Sequence, residues 1–150
     1  ENAVLLGDLS LIKSLIKGGC VVDGIDKYGR TVMYDAVVKG LQDVVLELCL
    51  AKANVNNQDN NGKTPLHFAS IYNQLEIAKT LIQYNADVNL KDENGNTPIF
   101  DAVFNSKGNP DIILLLKKNN ADYITLNNHG VSPKELADTI ANFDVSYIFN

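Results

Sequence analysis

Apolar residues recur along the chain in two kinds of segment. Leu75, Ile77, Ala78, Leu81 and Ile82 fall at helical spacing, and the same order of apolar positions appears earlier as Leu9, Leu11, Ile12, Leu15 and Ile16. Ahead of the later set, Pro65 to Tyr72 reads as a shorter helix of about two turns. Its start is marked by Thr64 as N-cap and by Pro65 at the first helical position, where a missing N–H costs nothing. Thr97 and Pro98 give the same signal. A helix this short does not persist alone. Both kinds of helix therefore have to bury their apolar faces on neighbours, and Leu81 stands where two such interfaces meet.

The segments repeat. Thr31-Val-Met-Tyr-Asp-Ala36, Thr64-Pro-Leu-His-Phe-Ala69 and Thr97-Pro-Ile-Phe-Asp-Ala102 begin 33 residues apart, and Ser132-Pro-Lys-Glu-Leu-Ala137 begins 35 later. The two extra residues fall in Asn105-Ser-Lys-Gly-Asn-Pro110, a cluster that marks a lengthened loop. Gly29, Gly62, Gly95 and Gly130 stand two positions before each Thr or Ser, and Asp26, Asp59, Asp92 and Asn127 lie upstream of them. Gly19, Lys52, Asn85 and Asn120 end the second helices, where the chain turns through a left-handed conformation. Gly and Asn fit that turn, and Lys52 is expected to be strained there. Asn61-Gly62 and Asn94-Gly95 predict tight turns projecting from the stack as polar fingers.

Taken together, Gly-x-Thr-Pro-Leu-His-x-Ala at 62–69, its three variants, and Ala53-Asn-Val-Asn56 and Ala86-Asp-Val-Asn89 after the second helices resemble the ankyrin repeat. The resemblance covers nearly the whole chain. It implies an all-α solenoid of about five stacked helix-turn-helix repeats with projecting β-turn fingers, forming a single domain over 1–150. Repeats are expected at 1–28 (partial), 29–61, 62–94, 95–129 and 130–150 (partial). Lys134, Glu135 and Asp138 in the last first-helix read as a polar terminal cap.

Composition narrows the function. At 150 residues with 45% hydrophobic content, the chain can bury one continuous core shared by stacked units. Every apolar run is broken by a charge or Asn before it could cross a bilayer, so no membrane role is expected. A net charge of -5 and a pI near 4.9 disfavour phosphate binding, hence nucleic acid, and make a basic protein the natural partner. Cys20 and Cys49 lack metal or redox spacing and read as reduced packing residues of a cytosolic, hence cytoplasmic, protein.

The candidate chemistry is thin. His67 is the residue type of a general base or metal ligand. It also lies three residues after Thr64, close enough to bond that hydroxyl and the turn backbone. The corresponding positions hold Tyr34, Phe100 and Glu135, so chemistry common to the repeats uses no imidazole, and His67 joins Gly62, Gly95, Thr64 and Pro65 as structural. His129 lies in a finger without ligand-type neighbours. Asp35 and Asp101 sit at equivalent repeat positions and make a poor catalytic pair. The chain reads as no enzyme, with no cofactor and no metal, and as a monomer when free.

What remains is a surface. The resemblance implies a concave groove of fingers and first helices that binds another protein. The positions free to recognise one are Tyr28, Arg30, Lys63 and Glu93 in the fingers and Lys39, Ile71, Tyr72, Phe104 and Asn105 at first-helix ends, with Tyr84 as a further aromatic anchor. Phe104 beside the inserted loop fits two readings, an anchor or a cover over the next repeat's core. The run from Thr97 to Asn105 with its loop, and Asn128 to Asp138 with the aromatic tail, is similar to bacterial ankyrin-type immunity proteins, which implies an inhibitor neutralising a basic toxin. A second reading takes the chain as the ankyrin segment of a larger scaffold, effector or regulatory protein. The start at Glu1 without methionine, and a first repeat that opens inside its first helix, point that way.

Overall fold

The start and stop signals of the sequence appear as helix boundaries in a computed structural model that describes residues 2–140 and 145–149. The elements are α1 (Asn2–Leu6), α2 (Leu9–Lys17), α3 (Val32–Val38), α4 (Gln42–Leu50), α5 (Pro65–Ile71), α6 (Leu75–Gln83), α7 (Pro98–Asn105), α8 (Asp111–Lys118), α9 (Pro133–Thr139) and a 3-10 helix (Ser146–Phe149). No strand occurs among the described residues. Odd-numbered helices form one layer, α1 on α3, α3 on α5, α5 on α7 and α7 on α9. The even-numbered ones form a second, α2 on α4, α4 on α6 and α6 on α8. The result is an all-α repeat fold. Its core runs between the layers, and Leu66, Leu81, Ile99, Ile113 and Leu116 are wholly buried.

Caps explain where the short helices begin. Thr64 and Ser132 each accept a bond from the backbone N–H three residues on, and His67 and Glu135 return the bond to the cap's own N–H. Thr97 holds the N-cap conformation without a side-chain bond, so Pro98 alone marks that start. Left-handed residues end the second helices as expected, with Gly19, Lys52, Asn85 and Asn120 at φ of 82, 62, 69 and 63 degrees. Lys52 therefore carries a penalty of about 1 kcal/mol that Gly or Asn avoids.

The first helices turn into the second through Gly7, Gly40 and Asn73, also left-handed. After α7 that turn is lengthened. Ser106 keeps a helical conformation, and the left-handed geometry moves to Lys107 and Gly108.

The two edges of the stack differ. Val145, Ile148 and Phe149 are buried at one, where Lys117 donates to the Ile148 carbonyl and lies over the rings of Tyr123 and Phe149. Lys134 and Glu135 serve this edge through specific bonds, Lys134 to the Phe149 carbonyl and Glu135 to Ser132. At the other edge Leu11 and Leu15 are exposed, although their counterparts Val44 and Leu48 are buried. Cys20 is likewise exposed, which corrects its reading as a packing residue. Cys49 is buried, and burial pushes its thiol up to about 11.

Candidate functional site

Each finger is built around one carboxylate or amide. The Oδ1 atoms of Asp26, Asp59, Asp92 and Asn127 accept the backbone N–H groups two and four residues on, fixing a turn that closes on Gly29, Gly62, Gly95 or Gly130. The glycine requirement is sharpest at Gly62, where φ is 76 degrees and a Cβ would stand 3.0 Å from the Asp92 Cα in the next finger. Neighbouring fingers are tied by backbone bonds, Asn60 N–H to Tyr28 O, Glu93 N–H to Asn61 O and Asn128 N–H to Asn94 O. The fingers therefore form a continuous row.

The second oxygen of each finger carboxylate is where two sequence-predicted binding residues are used. Arg30 donates twice to Asp59 Oδ2, at 3.1 and 3.0 Å, and its guanidinium lies 5.0 Å from the centre of the Phe68 ring. Lys63 Nζ lies 2.8 Å from both Asp92 Oδ2 and Asp101 Oδ2. The Asp92 contact is that of an ion pair, because no directed hydrogen bond reaches that oxygen. In the last finger Asn127 Nδ2 donates to Asn96 Oδ1, so the chain matches Asn with Asn where no cation stands.

Burial works against the Lys63 charge, but Asp101 and Asp92 outweigh it and hold the ammonium above its ordinary value. Asp92 is pushed up by burial and pulled further down by Lys63 and the Asn96 and Asn94 N–H groups. Asp101, with fewer partners, is raised by burial to about 6. Arg30 and Lys63 therefore latch finger to finger, and their side chains remain 36% and 22% exposed. The signal for this was present in the repeat columns, since the residue four after Asp26 is Arg30 and the residue four after Asp59 is Lys63.

The column of His67 makes a second set of ties. His67 Nε2 lies 3.1 Å from the Asn96 carbonyl, which can only accept, so Nε2 carries the proton. Nδ1 then accepts from the Thr64 N–H at 3.0 Å and faces the Thr64 hydroxyl at 2.8 Å. Tyr34, one repeat earlier, bonds the carbonyls of Asn57 and Lys63 through its hydroxyl, and burial pushes it up to about 12. Both side chains pin a first helix to the following finger, which is the structural part expected of His67.

Burial lowers His67 from 6.5 to about 4. Its folded value lies below its unfolded one, so its contribution to stability is complete above pH 6.5 and is lost as the pH falls towards 4. Asp101 acts oppositely, because a folded value of about 6 against 3.8 unfolded makes stability fall as the pH rises between them. The two slopes overlap and offset each other in the whole-protein curve. NMR separates them, and the His67 imidazole is expected to stay neutral, with Nε2 protonated, down to about pH 5. An imidazolium at pH 6 contradicts the assignment.

The remaining candidates divide by place. Tyr28 is 53% exposed at a finger tip, and Tyr72 and Phe104 are 50% and 66% exposed at the ends of α5 and α7. Phe104 covers no core. Lys39 and Glu93 are exposed, whereas Ile71 and Asn105 are half-buried, Asn105 donating to the Asp101 carbonyl. Ile71, Tyr72, Asn73 and Asn105 meet Ser106 and Lys107 around an open recess of about 420 Å³. The lengthened turn thus forms one wall of a surface whose other wall is the end of α5. Tyr84 does not belong to it. It follows the last residue of α6, half-buried against the core in the second layer. Sequence reasoning missed Phe68 and Asp101 as partners of Arg30 and Lys63, and also Leu6, which extends the apolar first-helix ends with Val38.

His67 has both ring nitrogens committed, and among the described residues no group of three or more His, Cys, Asp or Glu could hold a metal. No described helix is long and apolar enough to cross a membrane. Paired helices stacked in register, with turns projecting in one row, define a repeat solenoid. A family model described as ankyrin repeats (3 copies) matches residues 47–127, and the chain belongs to the ankyrin repeat family. Ankyrin repeats are protein–protein interaction modules. No curated protein matches the chain in sequence.

Proposed function

We propose that this protein binds a basic protein partner across its fingers and first-helix ends, and that it acts as an acidic inhibitor of the immunity type, occluding a bacterial toxin. The observation that carries the binding reading is the exposure of Tyr72 and Phe104 at the ends of consecutive first helices, with Tyr72 lining the recess at the lengthened turn. Large aromatic rings left in water at the ends of otherwise well-buried helices favour interface anchors, because they bury much area at small entropic cost. Val38 and Leu6 continue the apolar character along the stack, and Tyr28 adds an aromatic at the finger row. A net charge of -5 supports a basic partner, which such a field steers and orients.

The test is a binding measurement with the double substitution Tyr72→Ala and Phe104→Ala. Both side chains are exposed, so the melting temperature is expected to hold while partner affinity falls by about tenfold or more. Affinity that survives the double substitution removes this face from the interaction. For the inhibitor reading, the captured partner must lose its activity when bound, and a partner that stays fully active contradicts it.

A further inference from the structure

We infer that the edge of the stack formed by α1 and α2 is a self-association surface, on which a second copy of this chain docks by the same edge in a two-fold symmetric contact. The surface is separate from the one at Tyr72 and Phe104, and a dimer replaces the monomer expected from the sequence. The repeat columns point to it. Leu11, Val44, Ile77 and Ile112 form one column along the second helices, and Leu15, Leu48, Leu81 and Leu116 form another. In α4, α6 and α8 every one of these side chains is buried, whereas in α2 both leucines are 43% exposed. The second layer continues from α8 through α6 and α4 to α2, and the leucines stand on the face that would carry it one step further. The chain itself therefore shows what covers such a face: the apolar side of another helix of the same kind.

Val21 supplies an independent sign. It is 78% exposed, in a column that continues as Asn54, Asp87 and Asp122, so the one apolar member of an otherwise polar column lies on this edge. A side chain left to water in the later repeats is polar there, and a valine gains from the same place only where apolar surface covers it. Beside Val21 a crevice of about 60 Å³ opens, walled by Leu15, Ile16, Cys20, Val22 and Leu48, with room for the tip of an apolar side chain. The far edge decides how a second copy sits. There Lys117 takes the place held by Ile16, Cys49 and Ile82, donates to the Ile148 carbonyl and lies over the Phe149 ring. Head-to-tail stacking would set Leu11 and Leu15 against that cation. Like edge on like edge keeps apolar surface against apolar surface and closes after two copies.

The test is sedimentation of the intact chain over a range of concentrations. The mean mass is expected to rise from 16.4 kDa towards twice that value as the chain approaches about 1 mM, a range suited to a small interface. Leu11→Lys and Val21→Asn should each weaken the association about tenfold or more. Both keep the fold, because the two side chains are exposed and Asn54 stands in the Val21 place one repeat on. Cys20 is the exposed thiol and Cys49 the buried one, so labelling of Cys20 by N-ethylmaleimide should slow as the parent chain is concentrated and stay constant in Leu11→Lys. Tyr72→Ala with Phe104→Ala should leave the association unchanged. Added salt should not weaken it, whereas salt weakens capture of a basic partner. A parent chain that sediments as a monomer throughout, Cys20 labelling that ignores concentration, or an association untouched by both edge substitutions overturns the inference. An association lost with Tyr72 and Phe104 overturns it as well, by moving the contact to the other face.

Discussion

Replacing Leu81 by alanine is expected to destabilise the protein by about 2–5 kcal/mol, the usual cost of emptying a closed leucine site. Leu81 is fully buried in α6, the helix flanked by α4 and α8, so neighbours on both sides limit collapse around the cavity. A loss of that size is a large share of a domain's total stability of about 5–15 kcal/mol. Leu15 occupies the same column at the open edge and is 43% exposed. Its replacement by alanine should cost clearly less, because fewer contacts are lost and water already reaches the site. Denaturant midpoints for the two variants measure the comparison. Equal losses would mean that burial between neighbouring helix pairs does not set the stability of each pair.

Lys63→Met is the second large effect, and its pH dependence is the informative part. Methionine keeps most of the buried stem, so the change removes chiefly the ammonium that faces Asp92 and Asp101. Leaving a buried carboxylate without its partner costs about 3 kcal/mol. The full loss is expected at pH 8, where both carboxylates of the parent are ionised. Below about 6 Asp101 takes up a proton in the parent fold, one of the two ion pairs is already gone, and the difference between parent and variant shrinks. Urea unfolding at pH 8 and at pH 5 reads this directly. A loss that is larger at pH 5 contradicts the raised Asp101, and a negligible loss at both removes Lys63 from the latch.

The sequence made the architecture legible because its signals were redundant. Four copies of one motif at nearly constant spacing, with Pro65, Pro98 and Pro133 at helix starts and Gly19, Asn85 and Asn120 at left-handed helix ends, carry the same instruction several times over. The surface was less legible, because exposure depends on which neighbour a side chain meets. Tyr28, Tyr72 and Phe104 are exposed as expected. Arg30 and Lys63 read as recognition residues in the sequence, and the structure sets them against Asp59 and Asp92 of the following fingers and Asp101 of α7. Tyr84 was misplaced because an aromatic at a helix end does not itself show to which layer it belongs. Reading each column against the next column, one repeat ahead, finds the Arg–Asp, Lys–Asp and Asn–Asn matches that a single copy hides.

The measurement that bears most directly on the central claim is hydrogen exchange of the complex with its protein partner against the free chain. Slowed exchange is expected at first-helix ends 35–39, 68–72 and 101–107 and in the fingers at 27–30, with α4 and α6 unchanged. Slowing confined to α4 and α6, with the fingers and first-helix ends exchanging as in the free chain, would contradict it.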